Sequence, residues 1–433
     1  MSMFGLHESE VATLVRAVSV EGGGDLDRAS IEDRFARATW SGLAEPGDRI
    51  AGRAIQQLGA VGALTAVVER WGPERFAAEL AAGGDLVPGD DMSQAIDRWM
   101  PRLKSGTALI ALRQAARFGA RLLVPDDFLW PARLSDLEWH APAALWVRGT
   151  DVALAGIVDG IALVGARAAT GYGEHITMEA SAGLVDRGYT IISGAAYGID
   201  GMAHRAALAS QGLTVAFLAG GVDRFYPSGH DSLLTRIVEH GAVISELPCG
   251  SPPTKWRFLQ RNRLIAAASL ATIVLEAGWR SGSLNTAGHA AALGRPLGAV
   301  PGPVTSAASA GCHRLIRDYD AVCVTNPDQM AELAPLAEKT SVAAATDTSS
   351  NILSGRRDAE ASSGNVNADV AQDTETTRLL DALSTRSART ADDIAARSGL
   401  AISTVRAQLG LLELDGRVTE TEHGWKRAAK SRS

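Results

Sequence analysis

From about residue 119 to residue 335 the sequence repeats one pattern: a short β-branched run, then a helix-length segment. The runs are Ile161–Val164, Thr190–Ile192, Thr214–Leu218, Ala242–Ser245, Ala271–Glu276, Pro296–Val300 and Ala321–Val324. Between them lie amphipathic stretches such as Ile176 to Val185, closed by Gly188. Continuously apolar strands joined by helices predict an α/β fold, a mainly parallel sheet covered on both faces. Several strands run straight into glycine, as in Val164-Gly165, Ser193-Gly194 and Gly220-Gly221. In doubly wound sheets ligands bind beyond the carboxyl ends of the strands, where glycine lets backbone amides approach a phosphate. Plain tight strand-to-helix turns would look the same.

The flanks differ. Residues 1–118 read as a helical domain, with Val11, Leu14, Val15 and Val18 on one face and Ile50, Ala54, Ile55 and Leu58 on another. The second helix is entered through Glu45 to Asp48, and Gly59, Gly62 and the Gly72-Pro73 pair interrupt the pattern. Residues 119–338 form the α/β core. Residues 339–373 are rich in Ser, Ala, Thr, Asp and Asn and read as a disordered linker. Residues 374–428 look like a winged helix, made mechanically independent by that linker. Leu379, Leu380 and Leu383 would begin its first helix, Thr390 to Asp393 would cap the second, which ends at Gly399, and Ser403 would cap the third. That third helix offers Arg406 beside Glu413 and Asp415, a poor surface for DNA and a better one for protein contact.

Net charge is −7, so a nucleic-acid site must be a local basic patch. The three cysteines, Cys249, Cys312 and Cys323, include no C-x-x-C, so neither a disulfide framework nor a zinc site is signalled. A polar, acidic start and the absence of a long apolar run predict a cytoplasmic chain with no membrane contact. No nucleophile elbow, Walker A or H-E-x-x-H motif occurs, and neither a metal nor another cofactor is expected. Glu276, at a strand end, is a lone carboxylate.

Against that background Lys255 to Arg263 stands out, with four cations, no acid and two interleaved rings, Trp256 and Phe258. Single-stranded nucleic acid asks for this combination, because cations follow phosphates and rings stack on bases. Asn262 could bond a phosphate or a base edge. Arg167, beside the first glycine loop, could clamp a phosphate bidentately. A solvated helix start with its arginines paired to nearby carboxylates is the alternative. Asp200 reads as a cap for the helix after the second glycine loop, and His204 as structural.

Six segments in order resemble the DNA-processing protein A family (DprA, also called Smf). They are Ala162 to Gly173, Ser193 to Asp200 with Ala203-His204, Ala219 to Pro227, Phe258 to Arg263, Glu276 to Ala287, and Val300 to Pro303. The likeness is strongest over about 120–330. It implies an extended Rossmann-like doubly wound fold with an N-terminal helical domain and a C-terminal winged helix. It further implies a non-enzymatic protein that binds single-stranded DNA, protects incoming strands and helps load a RecA-type recombinase. Carried over by motif, the DNA contacts would be Arg167, Ser193, Gly194, Lys255, Phe258, Arg261, Asn262 and Arg263, and the chain would be a homodimer through its Rossmann-like domain. Tyr197 stands where the family often has a basic residue, and His313 where it usually has asparagine. The same fold serves nucleotide-processing phosphoribohydrolases of the lysine-decarboxylase-like group, the runner-up reading. Those carry a catalytic glutamate after a glycine-threonine turn, whereas Ser281 to His289 holds no carboxylate. A transcription factor led by its winged helix is a third reading, weakened by the acidic third helix.

Overall fold

The computed structural model describes residues 2–20, 26–82, 84, 88–104, 106–336 and 366–428. A two-residue pair, β1 (Ser2–Met3) with β2 (Leu6–His7), precedes α1 (Glu8–Val18), α2 (Arg28–Leu43), α3 (Arg49–Val68), α4 (Pro73–Ala82), α5 (Gly89–Trp99) and α6 (Thr107–Arg117). Asp48 caps α3 by accepting the Ile50 and Ala51 amides. Gly59, at φ +70°, breaks α3 midway, but Gly62 lies within continuous helix. Trp40 and Trp99 meet edge to face, 5.1 Å between centroids, at the centre of this domain's own core.

The core domain contributes β3 (Arg121–Leu123), β4 (Leu145–Gly149), α7 (Asp151–Ala155), β5 (Gly160–Gly165), α8 (Gly171–Asp186), β6 (Thr190–Ser193) and α9 (Ile199–Ala209). It continues with β7 (Thr214–Phe217), α10 (Asp231–His240), β8 (Ala242–Ser245), α11 (Lys255–Ala268), β9 (Ala271–Glu276) and α12 (Ser283–Ala292). Last come β10 (Leu297–Ala299), α13 (Ala310–Asp318), β11 (Val322–Cys323) and α14 (Pro327–Glu332). The nine strands lie in the order β11-β10-β9-β5-β6-β7-β8-β4-β3. Pairing is parallel from β11 to β8, and β4 and β3 add an antiparallel edge. Each of the seven expected runs is a strand of this sheet. Along β5, Ala162 and Val164 enter one apolar cluster with Leu264, Ile265 and Ala287, while Ile161 and Leu163 enter another with Ala180 and Ile199. Both faces are therefore covered, which is why the strands read as unbroken apolar runs. The chain proceeds outward from β5 to β8, then crosses back so that β9 lies on the other side of β5. The order reverses at that point, and a crevice opens beyond the carboxyl ends of β5 and β9.

The winged helix comprises α15 (Val366–Ala382), α16 (Ala391–Ser398), α17 (Ile402–Leu414) and the hairpin β12 (Val418–Thr421) with β13 (Gly424–Arg427). Leu379, Leu380, Val405, Leu409 and Val418 share its core. Thr390 caps α16, and Gly399 closes it at φ +67°. Two local expectations fail. Leu379 and Leu380 end the first helix rather than begin it, with Leu383 just past its end, because α15 already runs from Val366, inside the stretch read as linker. Ala401, not Ser403, precedes α17, and no side chain caps it. Of the stretch read as linker, residues 339–365 lie outside the described residues.

The winged helix rests on the rest of the chain instead of standing apart from it. Arg102 Nε donates to the Ala396 carbonyl at 2.7 Å, the Lys255 amide donates to Asp381 Oδ2 at 2.9 Å, and Arg378 lies over the Trp256 ring at 5.5 Å. Sequence composition alone missed this docking because its contacts are a few polar groups far apart in the chain.

Candidate nucleic-acid interface

The crevice is a cavity of about 740 Å³. Its walls are the loop after β5 (Val164 to Ala168), the loop after β9 (Gly278 to Ser283) and the first two turns of α11. Thr254 caps α11 by accepting the Arg257 amide, so the helix starts where the segment's rings and cations start. Helical spacing then puts Lys255, Phe258, Leu259 and Asn262 on the face that lines the cavity. Arg167 comes across from the β5 loop, its guanidinium carbon 5.0 Å from the Phe258 ring centroid. Arg167 and Lys255 are exposed, and Phe258 is half-buried.

Of the other expected contacts, Arg261 and Asn262 also border the cavity but are engaged by protein groups, and Ser193, Gly194 and Arg263 are not in its lining. Arg261 is 5% exposed and donates to the Gly194 and Phe217 carbonyls at 2.6 and 2.5 Å. Gly194 is required here, since a Cβ on it would meet that guanidinium at 2.3 Å. Burial lowers the Arg261 pKa to about 10, which leaves it charged at neutral pH. Its charge lies beneath the Phe258 ring rather than at the surface, with the guanidinium carbon 5.8 Å from the centroid. Ser193 is buried, and its hydroxyl donates to the Leu163 carbonyl. Asn262 donates to Asn285 Oδ1 at 3.1 Å and to the Gly282 carbonyl at 3.4 Å, and so holds the first turn of α12 and the end of the loop before it. Arg263 does not come to this cavity. It is 3% exposed, donates to Glu246 Oε1 at 2.7 Å and to the His140 carbonyl, and borders a separate cavity on the other side of α11.

Arg257 is likewise engaged by protein, donating to Glu45 Oε1 at 2.8 Å and Oε2 at 3.3 Å. Arg102 also pairs with Glu45. Burial pushes the Glu45 carboxyl up, and Arg257, Arg102 and Arg378 together pull it well below its ordinary value. The four-cation segment thus divides: Lys255 faces solvent, and Arg257, Arg261 and Arg263 hold protein groups.

The carboxylates around the cavity are occupied. Glu276 Oε1 accepts the Thr170 hydroxyl and Oε2 the Thr170 amide, fixing the start of α8. Gly173 makes room for it, since a Cβ there would meet Glu276 Oε2 at 2.3 Å. Asp200 accepts the Gly194 and Ala196 amides, so it ties down the loop before α9 instead of capping that helix. Burial raises its pKa, opposed by Arg261 and those amides. His204 is buried, with Nδ1 2.7 Å from Thr214 Oγ1. Because that hydroxyl donates to the Ile191 carbonyl, Nδ1 carries the proton. Burial, with His230, Arg261 and Arg205 nearby, pushes its pKa down to about 3. Both departures from the family pattern are visible. Tyr197 is exposed against the His230 ring, and His313 Nε2 donates to the Gly302 carbonyl. Among the described residues no group of three or more His, Cys, Asp or Glu could hold a metal, and no helix is long and apolar enough to cross a membrane.

Two residues at the cavity carried no assigned role in the sequence reading. Tyr226 is 51% exposed and its ring centroid is 5.6 Å from that of Phe258. Arg280 is exposed and lines the cavity. Both lie inside family-like segments, which was the available signal.

The fold is a doubly wound α/β domain with a crevice at its switch point, joined to a winged helix. The family described as DNA recombination-mediator protein A matches residues 121–335, and the DprA winged helix domain matches residues 366–424. A putative DNA processing protein DprA of Mycobacterium tuberculosis is 40% identical over 377 residues, 84% of this chain and 90% of that protein. DNA processing protein DprA of Streptococcus pneumoniae is 37% identical over 220 residues, 51% of this chain and 76% of that one. The X-ray structure of DprA from Streptococcus pneumoniae superposes with a TM-score of 0.54 at 27% identity, covering 70% of this chain and 97% of that one. The chain belongs to the DNA-processing protein A family.

Proposed function

We propose that this protein binds single-stranded DNA in the crevice between β5 and β9, protects incoming strands and helps load a RecA-type recombinase during transformation or recombination. One observation carries the reading: Arg167 and Lys255, both exposed, flank the half-buried Phe258 ring at the mouth of one cavity. The cations hold phosphates, Phe258 stacks a base, and Tyr226 offers a second ring beside it. Arg261, Asn262, Ser193 and Gly194 form the floor that sets these groups in place, and Arg263 supports α11 from behind. The site is a binding site and not a catalytic one. Glu276 and Asp200 have both been drawn into backbone and hydroxyl contacts, which leaves a phosphoribohydrolase without a free carboxylate at the cavity among the described residues. The protein works in the cytoplasm as a homodimer through its Rossmann-like domain.

The test is a gel-shift titration with single-stranded and duplex DNA of equal length, beside a nucleoside-monophosphate hydrolysis assay. Preference for the single strand with no release of base is expected. Equal affinity for duplex would contradict the pocket, and base release would favour the hydrolase.

A further inference from the structure

The winged helix meets the core at the start of α11, beside the cavity. Asp381, at the end of α15, accepts the backbone N–H of Lys255. This fixes a carboxylate on the residue whose ammonium is proposed to hold a phosphate. Through-space repulsion between Asp381 and a strand at that mouth is only partly screened, since the separation is within one Debye length.

The contact is built to come apart. Glu45 takes its direct ion pairs from Arg102 and Arg257, neither of which belongs to the winged helix. Arg378 donates to the Ser398 and Gly399 carbonyls, both within the winged helix. Separation therefore keeps both direct partners of Glu45 in place and gives up only its longer-range attraction to Arg378, so no buried pair is broken outright, the outcome that makes such pairs costly. What is lost is the Arg102 bond to Ala396, the Lys255 bond to Asp381 and the stacking of Arg378 on Trp256. Part of the junction is open: a cavity of about 940 Å³ is lined by Arg98 and Gln260 together with Leu400 and Thr404, while Gly399 packs closely on Glu45, where a Cβ would meet Glu45 Cγ at 2.5 Å.

We propose that the docked winged helix is an autoinhibitory cover: Asp381 holds a negative charge at the mouth of the single-strand cavity, and strand binding and docking compete. This rests on the single-strand reading above. The cover favours strands presented at high local concentration and, once displaced, frees the Ser403 and Thr404 end of α17 for another partner.

The test uses the full chain and oligothymidylate, read by fluorescence anisotropy and by hydrogen exchange. Asp381→Ala and Asp381→Asn should each tighten binding about fivefold, about 1 kcal/mol. Residues 374–401 should exchange faster when wild-type protein is saturated with strand. Unchanged or weaker binding by both variants would overturn the cover. So would unchanged or slower exchange in 374–401, which would mean that strand and docked winged helix coexist. Phe258→Ala run alongside separates the two ideas. Wild-type binding that Phe258→Ala weakens preserves the single-strand reading whatever Asp381 does, whereas no binding by wild type removes both.

Discussion

Two faces of α11 show how one short run of charge can do unlike work. On the cavity face Lys255 and Phe258 meet Arg167, and the cations have water on one side. On the opposite face Arg257 and Arg263 are buried against Glu45 and Glu246 and join α11 to the N-terminal helices and to the β8 end. A cation in water is available to a phosphate at little cost. A buried one is already neutralised, and removing its partner strands a charge. The difference is burial, not residue type, and it teaches that basic sequence is not by itself a basic surface.

Glu45→Gln should break the buried face most severely. Two guanidiniums lose their carboxylate, and a loss of about 3–5 kcal/mol in unfolding free energy is expected from urea titration. The pH dependence has a defined sign. The folded-state pKa of Glu45 is depressed below its ordinary 4.5, so its contribution is present above that value and fades as pH falls toward the folded one. Acid titration should therefore weaken wild type more steeply below about pH 4.5 than it weakens Glu45→Gln.

A somewhat smaller effect is expected from Arg263→Ala. Glu246 would be left buried without its cation, at about 3 kcal/mol, while single-strand affinity per folded molecule stays near wild type. Strong loss of affinity with unchanged melting would move Arg263 back to the strand site.

Phe258→Ala should show the reverse: a single-strand affinity loss of roughly 1–3 kcal/mol with its salt slope kept, because stacking releases no counterions. A fall in melting temperature with normal affinity would make Phe258 a packing residue that merely covers Arg261.

Much of the architecture was readable in the sequence because parallel strands buried on both faces must be apolar throughout, and the seven such runs are all in the sheet. The missed strands, β3 and β4, are short and antiparallel, and β4 ends in Arg148 and Gly149. The crevice was legible from glycine after strand, and Arg167, Lys255 and Phe258 do converge there. Which cations stay in water was not legible, since Glu45 lies 212 residues from Arg257 and only the fold brings them together. The same holds for Asp381 on Lys255, 126 residues apart.

The most direct measurement is the salt dependence of single-strand affinity for wild type, Arg167→Ala and Arg263→Ala, each first shown to be folded. Losing one phosphate contact flattens the log–log slope by about 0.7. Arg167→Ala should show that flattening, and Arg263→Ala should keep the wild-type slope. A flattened slope in Arg263→Ala with an unchanged one in Arg167→Ala would contradict the assignment of the strand to the cavity face.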